Sequence, residues 1–564
     1  MFRRGTSYDG EYGFDWVEWQ HEPKARHTAA SAHHHKGNYD PITKVQGIDI
    51  ANYTHWYDEH QQACVPAPGD LHAAFALQDE YDIAQVCGAD YYVPWLSVLP
   101  GQTVKLQLVV EAFTTAPAAG TYLTFRPDKS GQYQVTVNGA TDAQIRLVPT
   151  ATPAAAQVLD VEIKCLKAGP AVTLVATNEQ GTVLGQLNAV GNDHLHRLPV
   201  RLVYLVKDAA PPVPPLPPGS SRADVAQAAL KAAAIEEAAN RAAVQALEAA
   251  VQAVGLPAYL NAHALNQAGI QVVLEKPAKP LFVAFSASEW AGKFYDPATN
   301  CLTDYVYNKL VKDKLNKDVE RQYKDSVLDK AFTAYVAKYE KAASFRGVIV
   351  CVSELNKPKS EGVGGVAHTT PVDFRFCLIF EQNKANKTTY AHEIAHLLGL
   401  EHMFWGQKEQ DNFKITEGNW ETRRDNVAKR KVRTLERKAA MAHNEAGVAT
   451  VQNNITLLKA ALADPNCSHR VEYQRMVVAK KKEIEAAQRI NSGMAAEIKT
   501  DERQNGVDAK KTAQEAGVLK RNPFKWAFGS TGNIMDYSSK RNCFTRYQWA
   551  VMREDVKAFY GSAE

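Results

Sequence analysis

The sequence predicts a multidomain chain. A β-rich, sandwich-like N-terminal region is joined by a proline-rich linker and helix to a C-terminal α+β domain, into which an antiparallel helical hairpin is inserted. Three observations carry this reading. Short apolar–polar alternations with turn residues between them recur from 96 to 207, the period of half-buried strands. Six prolines crowd the run Ala209–Gly219, too many for helix or sheet. From 258 onward strand-like and helix-like apolar patterns alternate, and between about 420 and 500 they give way to heptads.

At 564 residues, 45% of them hydrophobic, the chain has room for several globular domains. Its formal net charge of +3 is small for that length and gives a nucleic-acid partner no compositional support. Eight cysteines are scattered without a CxxC pair, so they form no disulfide framework of the small secreted kind. Cys351 and Cys377 lie in apolar runs and read as buried thiols. Arg3 and Arg4 near the N-terminus are followed by no apolar stretch. Neither a Sec-type signal nor a membrane span is therefore expected. The expectation is a protein that is cytoplasmic in its producer, with any export by a signal-independent secretion system.

Residues 1–95 are aromatic-rich and irregular, from Tyr8, Phe14 and Trp16 to the triplet His33–His35, and their fold is left open. Adjacent histidines share no helix face, so the triplet reads as a solvated loop. Residues 96–207 form the β-sandwich-like module. Thr103–Val110, Tyr133–Gly139, Val158–Ile163, Ala171–Ala176 and Val200–Val206 read as its strands, and Asn138-Gly139 and Glu179–Gly181 as turns. Residues 208–257 are linker and helix. The prolines stiffen the chain toward polyproline II, Ser221 and Asp224 make a capping box, and the alanine-rich helix ends at Gly255-Leu256-Pro257.

Residues 258–564 form the α+β domain. Leu281–Phe285, Gly347–Val352 and Phe374–Phe380 read as strands, Asp318–Ser344 as a long amphipathic helix, and Phe544–Arg553 as a closing helix. Ala428, Val432, Leu435, Ala439 and Ala442 keep 4-3-4-3 spacing, as do Val448, Val451, Ile455, Leu458 and Leu462 after a one-residue slip. Asp464–Ser468 turns the chain. Tyr473, Val477, Ile484, Ala487, Met494 and Ile498 return on the same grid, with Lys480 and Asn491 in the remaining seam positions. This spacing predicts the hairpin. Interleaved acidic residues mark its many Lys and Arg side chains as a solvated face.

The chemistry concentrates in Ala391–His402, which reads H-E-x-x-H-x-x-G-x-x-H. Residues four apart share a helix face, so His392 and His396 can point at one metal ion. Glu393 sits beside them and can take a proton from water. Gly399 lets the chain leave the helix through a left-handed conformation, and that turn brings His402 back as a third ligand. Three imidazoles with one open position are the mark of catalytic zinc, whereas structural zinc is closed by four protein ligands.

Downstream lies Gly532-Asn-Ile-Met-Asp-Tyr537. A long zinc motif followed by a methionine-bearing turn resembles the metzincin metalloproteases. Met535 matches their Met-turn, and Tyr537 matches the tyrosine that astacins and serralysins carry there, which supports the reaction intermediate. The resemblance implies a metzincin-like fold for the α+β domain, one catalytic Zn2+ on His392, His396 and His402, and Glu393 as general base. It also implies an edge strand that pairs with extended substrate, at Gly365, Val366, Ala367 and His368. It covers roughly 280–402 and 530–560. The residue after the third histidine, Met403, matches no subfamily, and the helical insertion departs from the family pattern.

The function so implied is a zinc-dependent endopeptidase acting on a protein or peptide, with the peptide stems of peptidoglycan as an alternative substrate. A protease at the C-terminal end of a multidomain chain suggests a bacterial effector toxin carried by a machine such as type VI secretion. A secretion-machine or immunity partner belongs to that expectation. The competing class is a non-enzymatic interaction protein that uses the β-module and the hairpin as binding surfaces.

Overall fold

The computed structural model describes residues 2–5, 7–18, 81–86, 89–110, 122–126, 130–141, 144–146, 157–192, 195–208, 221–312, 318–339, 345–369, 374–404, 407–521, 532–537 and 541–560, with short strands at 48–49, 53–57, 63–64 and 525–526. The histidine triplet and the proline run lie outside them. The chain divides into two compact units, Met1–Gly406 with Val518–Glu564, and Gln407–Gly517.

The N-terminal part of the first unit is β-rich. Its strands are β1 (Phe2–Arg4), β2 (Gly13–Asp15), β3 (Trp95–Val98), β4 (Thr103–Val110), β5 (Tyr122–Arg126), β6 (Tyr133–Val137), β7 (Ala140–Thr141), β8 (Gln144–Arg146), β9 (Gln157–Cys165), β10 (Gly169–Thr177) and β11 (Val183–Gly191). One sheet runs β1-β4-β9-β6-β7 and the other β8-β5-β10-β11-β3-β2. Val104, Leu106, Val161 and Ile163 of the first share one core with Leu96, Leu174, Leu187 and Ala189 of the second. Alternation puts Thr103, Lys105, Asp160 and Lys164 outside, as a half-buried pleat requires. Asn138 and Gly139 both take positive φ, 47° and 81°, between the paired residues Val137 and Ala140. That is a type I′ hairpin. The pairing is antiparallel except at β11 and β3. Residues 1–95, unassigned from sequence, supply β1 and β2 to opposite sheets, with Phe2 and Phe14 in the core.

The next strand corrects the sequence reading. The alternation of Val200–Val206 groups it with the sandwich, yet β12 (His196–Lys207) is central in a different sheet. It pairs in parallel with β13 (Ile270–Leu274), β14 (Leu281–Phe285) and β15 (Val348–Ser353). The order is β13-β12-β15-β17-β16, with β14 beside the second half of β12; β17 is Phe376–Ile379 and β16 is Gly365–Ala367. Only β16, at the edge, is antiparallel. Both faces of β12 are covered. Leu198, Val200, Tyr204 and Val206 join one core and Val203 and Leu205 the other. A near-continuous apolar run is the trace of such two-sided burial, and adjacency in the chain masked it.

Helices fill both faces. The box at Ser221 and Asp224 caps α1 (Arg222–Val254), and Gly255 ends it at φ 63°. Then come α2 (Leu256–His263) and, on the opposite face, α3 (Val327–Lys338). The helix expected over Asp318–Ser344 is a correction. Asp318–Asp325 pairs with Tyr305–Lys312 as a hairpin, and the side chain of Ser326, accepting from the Leu328 N–H, starts the helix only afterwards. α4 (Lys387–Leu397) packs on the first face and α7 (Arg546–Asp555) beside it; α5 (Gln407–Ala463) and α6 (Arg470–Arg521) make the hairpin of the second unit. No helix among the described residues is long and apolar enough to cross a membrane.

The second unit is the hairpin of α5 (Gln407–Ala463) and α6 (Arg470–Arg521). It runs longer than the 420–500 expected. On α6 the seam follows the predicted grid through Val477, Ile484, Asn491 and Ile498. On the first half of α5 it does not. Val432 and Leu435 are 55% and 67% exposed; Arg430, Thr434, Arg437, Met441 and Asn444 take the inward positions. No slip is needed, for this series continues in register to Val448, Val451 and Ile455. The polar seam is answered across the hairpin. Arg430 bonds Asn505 at 2.8 Å and Asp508, Arg437 bonds Asp501 at 2.6 Å, and Asn444 bonds Asn491 at 2.9 Å. An apolar-only reading cannot see such pairs. Arg430→Ala removes the charge that Asp508 meets across the hairpin, leaving it Gln504 of its own helix, at a cost of about 1–3 kcal/mol. Amide hydrogen exchange should then quicken in the half holding Arg430 and Asp508 while the half around Asp464 stays protected. Unchanged exchange near Arg430 would refute the role given to this pair.

Candidate metal centre

α4 starts where the Asn386 side chain accepts the Thr388 N–H at 3.1 Å, an N-cap. Polar residues make up six of its eleven positions, yet Thr389 through Leu397 are all buried. His392, Glu393 and His396 are therefore held on a rigid, enclosed element. The helix ends in a Schellman motif. Leu400 N–H donates to Ala395 O and Gly399 N–H to His396 O, both at 3.0 Å, with Gly399 at φ 82°. Glycine is required twice over there, because a Cβ would lie 2.4 Å from Asp555 Oδ2. The turn brings His402 back toward the helix.

The three histidines converge. Nε2 of His392 lies 3.1 Å from Nε2 of His402, and Nε2 of His396 lies 3.2 Å from each of the others. Tetrahedral ligands at zinc–nitrogen distances would stand about 3.3 Å apart. His392 Nδ1 meets Ile534 O at 2.8 Å, and His396 Nδ1 meets Leu400 O at 2.7 Å. A carbonyl only accepts, so both Nδ1 atoms carry the proton and both Nε2 atoms present a bare lone pair. Burial, then the neighbouring His396 and His402, push the His392 pKa well below the usual histidine range, which keeps the ring neutral. Converging lone pairs repel unless a cation lies between them. This group of three can hold a metal ion, and it is the one such cluster among the described residues.

The turn at 532–537 faces the triad. Met535 is fully buried; its N–H donates to Asn533 Oδ1 at 2.8 Å and its carbonyl accepts from Met403 at 3.3 Å. Tyr537 is 48% exposed. Its hydroxyl is 3.3 Å from His402 Nε2, and its ring centre is 5.5 Å from that of His392. Phe404, which the motif did not flag, stacks on His402 at 4.8 Å and 18°. An aromatic two residues past the last histidine was the available signal.

The turn is braced from far along the chain. Asn533 Nδ2 donates to Gln548 Oε1 at 2.7 Å. The buried Gln267 donates to Asn542 O at 2.8 Å and accepts from Phe544 N–H at 2.9 Å, and it also reaches Gly10 O at 3.3 Å. Gly10, at φ +90°, is wedged so tightly that a Cβ would lie 2.2 Å from His263 O and 2.8 Å from Asn542 O. The N-terminal segment thus buttresses the return strand of the turn, which no local pattern announced.

The expected edge strand divides. Gly365, Val366 and Ala367 pair with Ile379, Leu378 and Cys377, and β16 packs on α4 beside the buried Glu393. His368 lies outside the triad. It meets Asp329 Oδ1 at 3.2 Å and packs edge-on to Phe374.

No family model and no curated protein matches the chain. The geometry therefore stands on its own residues. Gly399→Ala forces a side chain into a left-handed position and against Asp555, so the turn must shift and carry His402 with it. Metal uptake, followed by titration of the metal-free protein with Co2+, should weaken at least about tenfold. Uptake equal to wild type would refute this role of the turn.

Proposed function

We propose that the chain is a zinc-dependent endopeptidase of the metzincin kind, with His392, His396 and His402 holding the ion. The observation that carries this is the triangle of Nε2 atoms 3.1–3.2 Å apart, two of them fixed as acceptors by backbone carbonyls. Three imidazoles with no fourth protein ligand in the cluster among the described residues fit a site that keeps a position open for reaction. Bound zinc supplies a Lewis acid that acidifies water and polarises a carbonyl.

The remaining work falls to this chain. Glu393, rigid on α4, takes the proton of the attacking water and passes it to the amine that leaves. The edge strand β16 offers backbone to an extended peptide, which it would bind by strand addition. Tyr537, exposed beside His402, donates a hydrogen bond to the developing oxyanion. Met535 stays in the core as support.

Elemental analysis of the purified chain should give one zinc per molecule. A mixed-peptide assay should show cleavage that Glu393→Gln abolishes while zinc is retained, and that Tyr537→Phe lowers about 10–100-fold. Cleavage that survives Glu393→Gln would overturn the base assignment. Absence of metal with the three histidines intact would overturn the enzyme reading and favour a protein that acts by binding.

A further inference from the structure

Consecutive glycines at 364 and 365 stand out at the start of the edge strand β16, because glycine weakens strands and packs nothing. Neither takes a positive φ, so backbone conformation does not call for them. Space does. A Cβ on Gly364 would lie 1.5 Å from Asn383 Nδ2. A Cβ on Gly365 would lie 2.7 Å from Glu393 Cγ, 2.8 Å from Oε1 and 2.9 Å from Cδ. The whole end of the Glu393 side chain therefore rests on the bare backbone of β16.

The carboxylate has little room to yield. Glu393 is buried on a helix whose neighbours on both sides are also buried. Gly365 is held from behind by its register with Ile379, and Phe380 N–H donates to Gly364 O at 3.1 Å. A methyl group at 365 must move the carboxylate, the strand, or both.

We propose that Gly365 is a positioning residue for Glu393: its missing side chain sets where the carboxylate rests, so the strand offered to the substrate and the base share one contact. This rests on Glu393 being the base of the proposed peptidase. It adds that seating a peptide along β16 and placing the proton acceptor are mechanically linked, because a shift of the strand is a shift of the surface the carboxylate lies on.

Two measurements test it. In peptide hydrolysis, Gly365→Ala should lower kcat about 10–100-fold, with zinc content unchanged and KM moved less than threefold. Glu393→Asp draws the carboxylate back by one methylene. The Gly365→Ala/Glu393→Asp double variant should therefore lose much less than the product of the two single losses. Melting temperature gives a readout independent of turnover. Gly365→Ala should lower it in the wild-type background and much less in a Glu393→Ala background, where the space is free. A kcat within twofold of wild type, or melting shifts that simply add, would overturn the proposal. If the wild type cleaves nothing while the melting shifts are still coupled, the contact stands and the peptidase reading is what fails, taking the catalytic role of the contact with it. Should Gly365→Ala not fold, recovery of folding in the Glu393→Ala background supports the contact, and no recovery overturns it.

Discussion

The hydrogen bond from His392 Nδ1 to the Ile534 carbonyl joins residues 142 apart, and the rest of the site depends on it. It fixes the proton on the outer nitrogen and turns Nε2 inward. The bond from His396 Nδ1 to Leu400 O does the same within one turn of chain. Without these anchors an imidazole could rotate or present an N–H, and the three nitrogens would not form one donor set. Backbone carbonyls suit the task because they accept only and are themselves held by the fold.

The Ile534 carbonyl is only as well placed as the turn that carries it. Asn533, Gln548 and the pairing of Ile534 with Cys543 hold that turn, and Gln267 ties the returning strand to Gly10. The β-rich N-terminal region is therefore not a passenger on the α/β sheet. Asp15 extends the connection, accepting from Tyr81 and from the Arg546 N–H that opens α7. Buried amides and carboxylates of this kind are costly if left unpaired, so they lock the segments together.

The hairpin follows other rules. Half its seam is apolar and half is made of arginine, aspartate and asparagine pairs. Polar seams favour one register over its neighbours and give up some stability for it. The apolar stripe expected on the first half of α5 faces solvent instead, because polar residues one position away found partners on α6.

The sequence by itself determined the features set by local spacing. The H-E-x-x-H repeat placed two histidines on one helix face, Gly399 marked the turn, Asn138-Gly139 marked a hairpin, and Ser221 with Asp224 marked a helix start. Each depends on residues within a turn or two of one another. The tertiary structure alone decided the rest. It moved Val200–Val206 into the central sheet, broke Asp318–Ser344 into strand and helix, chose the seam of α5, stacked Phe404 on His402, and set Glu393 against Gly365. Apart from the Phe404 stack and the hairpin ahead of α3, those outcomes turn on partners tens to hundreds of residues away. A side chain's contribution there depends on what it meets across the fold, and spacing along the chain carries no record of that.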